Sequence, residues 1–166
     1  MGHLSIVFGC IVSGEEAGFL LEMQERNLAM IAALPATSRE DTYPPLTRDM
    51  FSISSDAPGY GAVVTAFGAS YNHIETGWPA WLAKFEGLLR QLYWENVEVY
   101  LRTELVGDHH YQWRILSPRR PREGDPAMTD DLPLWGRRRW AFSGGPRDFT
   151  EALRPRQPWQ SCDPSK

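Results

Sequence analysis

Between Tyr71 and Ile115 the spacing of hydrophobic positions changes period, and the chain is organised around that change. Trp78, Trp81, Leu82, Phe85, Leu88, Leu89 and Leu92 recur at helical spacing and make one apolar stripe, with Lys84, Glu86, Arg90 and Gln91 outside it. Pro79 is expected in the first turn of this helix, where a missing N–H costs nothing. The period then drops to two. Val97, Val99, Leu101, Thr103 and Leu105 share one parity, against Glu98, Tyr100, Arg102 and Glu104 on the other. Tyr111, Trp113 and Ile115 then alternate with His110, Gln112 and Arg114. This predicts a half-buried hairpin packed under a helix. Apolar positions of both strands are odd-numbered, so paired residue numbers must sum to an even number. A three-residue loop at 106–108 meets that condition and sets Leu101 opposite Trp113.

Upstream, Leu4–Val12 is apolar on both parities, which predicts a central strand covered on both faces. Ser13 followed three residues later by Glu16 is a capping-box pattern. The helix it opens runs to about Leu34, with Ala17, Leu20, Leu21, Leu28 and Ile31 facing inward. Pro35 ends it. Ala36–Thr47 reads as a loop, Met50–Ser54 as a short strand, and Ser55–Gly59 as a turn. Tyr60–Tyr71 is a second strand apolar on both parities. The fold class expected is α+β: a single domain with a mixed or antiparallel sheet of about five strands and two main helices. Residues 1–116 form its core, and 117–166 a Pro/Arg-rich C-terminal wrap of the same domain.

Composition alters the picture mainly in that tail. Of thirteen prolines eight lie in 117–166, and the charge changes sign there. Residues 1–116 carry seven basic and fourteen acidic side chains, net −7, whereas 117–166 carry ten and seven, net +3. The expected anchors of the wrap are Leu134, Trp135, Trp140, Phe142, Phe149, Leu153 and Trp159, with a short helical turn near Asp148–Leu153. Cys10 and Cys162 lie far apart without metal-type spacing, so a disulfide framework is not expected and a reducing cytoplasm fits. Leu4–Val12 lacks the basic segment of a signal peptide, and no stretch approaches the ~18 apolar residues of a membrane span.

Candidate chemistry is sparse. His109 and His110 are adjacent on a strand, so their rings diverge; His3 and His73 are isolated. No metal site and no cofactor is expected. There is no G-x-S-x-G, and Gly59-Tyr60-Gly61 is too short for a dinucleotide loop. Trp135-Gly136-Arg137-Arg138-Arg139-Trp140 is the best nucleic-acid signal, three arginines between aromatics. The chain as a whole is acidic, with a pI near 5.6, so these arginines are read as pairing with the acidic body.

The order strand, capped helix, strand, strand, Trp-rich helix, hairpin resembles small immunity proteins of bacterial polymorphic-toxin systems. The stretches that carry the resemblance are Leu4–Gly9, Gly77–Leu82, and Val97–Leu101 leading to Trp113. They are similar to the group paired with restriction-endonuclease-like nuclease toxins delivered by type VI secretion. The resemblance implies a cytoplasmic binder, not an enzyme, whose partner is a cognate basic nuclease toxin, with no nucleic acid or membrane bound. Charge supports this, because a nuclease cleft must be basic to hold polyphosphate. The expected contact residues are Glu15, Glu16, Glu22 and Glu25 on the first helix and Asp41, Asp49 and Asp56 on the loops after it. Tyr43 and Tyr60 stand beside them as aromatic anchors. Two other readings stay open: a small enzyme with a dispersed site between sheet and tail, and a nucleic-acid binder using Arg137–Arg139. The oligomeric state is open as well.

Overall fold

The computed structural model describes residues 2–13, 17–54, 62–116 and 139–154, with the side chains of 17–22 left out. The elements in order are β1 (Leu4–Ser13), α1 (Ala17–Ala32), a 3-10 turn (Arg48–Met50), β2 (Phe51–Ile53), β3 (Val63–Asn72), α2 (Ile74–Leu89), β4 (Asn96–Thr103), β5 (Gly107–Ile115) and β6 (Trp140–Gly144). The strands form one antiparallel sheet of six in the order β2-β3-β1-β4-β5-β6. This is the α+β architecture that the periodicity predicts, with the sixth strand supplied by the tail.

One face of the sheet carries the core. Val7 and Ile11 of β1, Phe67 and Tyr71 of β3, Val97, Val99 and Leu101 of β4, and Tyr111, Trp113 and Ile115 of β5 are all buried. All seven residues of the predicted α2 stripe are buried against them. Aromatic rings make the centre: Trp78 stacks on Trp81 with centroids 5.0 Å apart, Trp81 on Phe85 at 4.9 Å, and Phe85 meets Trp113 edge-on at 5.7 Å. Such pairs add to simple burial because ring edges and faces carry opposite partial charge. Three buried indole N–H groups find acceptors, Trp81 donating to the Tyr71 hydroxyl (3.0 Å), Trp94 to the Leu89 carbonyl (2.7 Å) and Trp113 to Glu86 (2.9 Å), while that of Trp78 has no partner among the described residues.

Four local expectations are corrected. First, among the described residues, β1 and β3 are covered on one face only. Their other parity is exposed, including Leu4, Ile6, Phe8 and Val64. Both helices pack on the same side, and two helices cannot cover both faces of a six-stranded sheet. Second, α1 turns Met23, Asn27 and Ile31 inward, while Leu28 stays 45% exposed. Asn27 earns its place by pairing with the Tyr93 backbone in both directions at 2.8 Å. Third, α2 begins at Ile74, not near Pro79, because Ile74 and Glu75 are themselves buried. His73, at φ 58°, turns the chain from β3 into the helix, and Pro79 sits inside it at an exposed position.

Fourth, the hairpin pairs Val97 with Trp113 and Leu101 with His109, so its loop is 104–106. The sums are even, as the parity requires, but the register is displaced from the expected one. Gly107 is the reason. It has φ +83°, a conformation glycine adopts without steric cost, and so it closes the turn. Thr103 Oγ1 accepts from the Val106 N–H (3.0 Å) and donates to the Gly107 carbonyl (3.1 Å), and Leu105 is left exposed at the tip.

The described part of the tail is fastened to the body. β6 pairs with β5 from Ile115↔Trp140 to Tyr111↔Gly144. Phe149 is fully buried, and Trp140, Phe142 and Leu153 pack half-buried on the core. The Leu153 N–H donates to the Phe149 carbonyl at 3.0 Å, making the expected helical turn. Arg147 reaches Glu86 of α2 at 2.8 Å. Leu134, Trp135, Trp159 and Cys162 lie outside the described residues.

Candidate interaction surface

Pro35 ends α1, and the chain then has to cross the end of α2 to reach β2. It does so as a closed loop. The Arg48 N–H donates to the Pro35 carbonyl at 3.0 Å, so the two ends of the crossing meet. A long loop with its ends together and its own side chains packed beneath it is an Ω-loop, a form that often carries function. Leu46 and Thr47 are its buried underside.

Lys84, projecting from α2, clamps the loop from below. Its ammonium lies 2.9 Å from Asp41 Oδ2 and 3.0 Å from the Pro44 carbonyl, and also donates to the Thr42 carbonyl. Asp41 Oδ2 in turn accepts the Leu46 N–H at 2.9 Å. Partial burial pushes the Asp41 carboxyl up, but the hydrogen bonds and charge from Lys84 outweigh this and hold it below the usual carboxylate range. The Tyr71 hydroxyl donates to the Pro45 carbonyl at 2.8 Å, and burial pushes that phenol up to about 12. Gly77 of α2 is what lets the loop sit this close, since a Cβ there would lie 2.6 Å from Pro44 Cγ.

Of the predicted contact residues, Asp41 and Tyr43 lie in the loop and Asp49 in the 3-10 turn at its end, and the charges of all three add to the rise of the Tyr71 phenol. They differ in availability. Asp41 is turned inward to Lys84. Tyr43 is 51% exposed, its hydroxyl donating back to the Asn72 carbonyl and its ring edge lying beside Gly77 of α2, so that the ring lies along the body with about half its surface open. Asp49 is exposed and accepts from Thr47 Oγ1. Glu25 is exposed on α1, and no contact joins it to that group. Glu15, Glu16, Asp56 and Tyr60 lie outside the described residues, as does the side chain of Glu22. Beside the loop lies an open groove of about 350 Å³ between the end of α1 and α2, lined by Met30, Leu34, Leu46, Leu88 and the Asp41–Lys84 pair.

Comparison with family models, with curated proteins and with solved structures finds no match to this chain.

Sequence reasoning missed a second surface, the uncovered face of the sheet. Across it Phe8, Tyr100 and His110 stand in one row on β1, β4 and β5, directly paired in register. Phe8 stacks on Tyr100 with centroids 5.2 Å apart and planes 14° apart, and Tyr100 on His110 at 4.4 Å and 12°. Rings stacked along the direction from strand to strand stand on edge, so the middle ring offers no free face to a nucleic-acid base. His109 turns to the other side, against Phe149 at 4.9 Å, so the two adjacent imidazoles diverge. Cys10 lies half-buried on the uncovered face as a free thiol, pushed up first by burial and then by Glu98. Among the described residues, no three His, Cys, Asp or Glu side chains group as a metal site. Arg139 is exposed and its carbonyl accepts the Leu116 N–H at 2.9 Å; Arg137 and Arg138 lie outside the described residues.

Proposed function

We propose that this chain is a binding protein of the immunity type, which neutralises a basic nuclease toxin by presenting the clamped loop of residues 35–48 with the acidic side chains around it. The observation that carries the reading is the loop itself. It is closed on its own ends, nailed to α2 through Lys84, and keeps Tyr43 half exposed with its hydroxyl fixed to the Asn72 carbonyl. A partner that docks on such a loop does not have to order it, which removes one of the main costs of association. Tyr43 supplies a rigid aromatic anchor of the kind enriched at binding hot spots. The adjoining groove accepts an apolar side chain from the partner. The net −7 of residues 1–116 attracts a cleft built to hold polyphosphate and speeds encounter with it.

The test is a pull-down with the product of the neighbouring gene, then a nuclease assay and survival on co-expression. Tyr43→Ala is expected to speed dissociation by about tenfold or more. Reversal of Glu16, Glu22 and Asp56 together is expected to slow association, with more effect at low salt than at high salt. If the wild-type chain neither binds nor protects, the immunity reading fails. If it protects and both variants protect equally well at both salts, neither Tyr43 of the loop nor the acidic residues Glu16, Glu22 and Asp56 form the contact.

A further inference from the structure

Among the described residues the second sheet face is apolar along β1, with the ion pair of Arg102 and Asp108 on one side of one row and Glu98 on the other. β1 is third of the six strands and exposes Leu4, Ile6 and Phe8, with Val64 and Tyr100 exposed beside it. Arg102 and Glu98 lie on β4, one residue pair to either side of the Phe8–Tyr100–His110 row. We propose that a second copy of this chain docks on this face, about a two-fold axis running across the strands along that row.

The arrangement is fixed by the register. A two-fold along the row sets Phe8 on the other copy's Phe8 and Ile6 over its Cys10. It sets each Arg102 over the other copy's Glu98, twice by symmetry. A two-fold contact must be self-complementary, and the exchange of Arg102 with Glu98 about the aromatic row, with each Asp108 set over the other copy's neutral Gln112, makes the face so. The Arg102 side chain is 63% exposed, and among the described residues its ion pair is with Asp108 at 3.5 Å. Glu98 is 31% exposed, held along the face by the Tyr100 hydroxyl, which donates to it at 3.0 Å, and by His110 Nε2 at 3.8 Å. Aligned sheets pack at roughly 30°, so the pairing holds near the axis, where Arg102 and Glu98 lie. The size is sufficient. Four long strands spaced ~4.8 Å apart and ~30 Å long give on the order of 600 Å² per copy before side-chain relief, near the ~800 Å² of a stable interface. The inference stands apart from the toxin reading, because this face lies across the sheet from the helices that carry the loop.

The experiment is sedimentation velocity of the full chain, without any partner, over a wide concentration range. The wild type is expected to dimerise. Arg102→Glu alone and Glu98→Arg alone place like charges opposite each other, and each is expected to raise the dimer dissociation constant by about tenfold or more. The double variant restores the pairs with signs exchanged and is expected to dimerise again. Mixing the two single variants is expected to give a heterodimer, since one then carries only acidic and the other only basic partners. A wild-type chain that stays monomeric at every concentration overturns the proposal. So does a dimer that both single variants leave intact, or a loss that neither the double variant nor the mixture reverses.

Discussion

The ammonium of Lys84 lies 2.9 Å from Asp41 Oδ2, joining α2 to a loop more than forty residues earlier in the chain. Both side chains are largely shielded, 25% and 18% exposed, so the pair is less screened than a surface ion pair. Lys84→Met keeps the stem and removes the charge, leaving Asp41 with only its backbone N–H donors and taking the ammonium from two loop carbonyls. The expected loss is about 2 kcal/mol, measured as a lower denaturant midpoint at neutral pH. The same variant loosens the loop and is expected to weaken partner capture. Unchanged stability would show that the clamp is ornamental.

Acid stability follows from the same pair and from Glu86. At Glu86, burial raises the carboxyl, but the Arg147 and Trp113 hydrogen bonds and the charges of Arg147 and Arg90 bring it below its ordinary value. Both Asp41 and Glu86 therefore hold their protons less tightly when folded than when unfolded. Their contribution is fully present above the ordinary carboxylate range and is lost as pH falls through the lowered folded values. Stability is expected to fall below about pH 4, and less steeply in Lys84→Met. Stability that rises on acidification would contradict the sign of both shifts.

The tail is held by Phe149, buried to 1% exposure against His109 and the core. Phe149→Ala is expected to cost roughly 3 kcal/mol, seen as a melting temperature about 6–12 °C lower. Truncation at Ser117 removes β6 as well, uncovering the edge of β5 and the side of Trp113 that Phe142 covers at 5.0 Å. It is expected to lower the melting temperature by at least as much. An unchanged melting temperature in the truncated chain would mean that the tail is not part of the fold's stability.

Gly9 sits where β1 passes β4 beneath the Phe67 ring. A Cβ there would lie 2.0 Å from the Glu98 carbonyl oxygen, and backbone cannot swing away as a flexible side chain can. Gly9→Ala is expected to be severely destabilising, with loss of soluble protein or a large drop in the denaturant midpoint. Gly87, with open space around its Cβ, is the control: Gly87→Ala is expected to be neutral or to stabilise by up to about 1 kcal/mol. A tolerated Gly9→Ala would mean that the two strands do not approach as described.

By itself the sequence determined what the backbone period enforces. Side chains spaced by one helical turn share a face whatever surrounds them, so the α2 stripe was legible residue by residue. Strand alternation was legible for the same reason, and with it the even-sum pairing of β4 and β5. Tertiary structure decided everything that depends on which distant segment lands where. The register went to Gly107 because the turn needed a left-handed residue, a constraint that parity alone does not contain. The apolar second parity of β1 suggested cover, yet both helices pack on the other face and leave Ile6 and Phe8 at the surface. Lys84 read only as a position outside an apolar stripe, and the return of the loop after Pro35 gave its charge three partners. Local geometry can be counted along a chain; the use of an exposed face or a lone charge is settled by the segments folded against it.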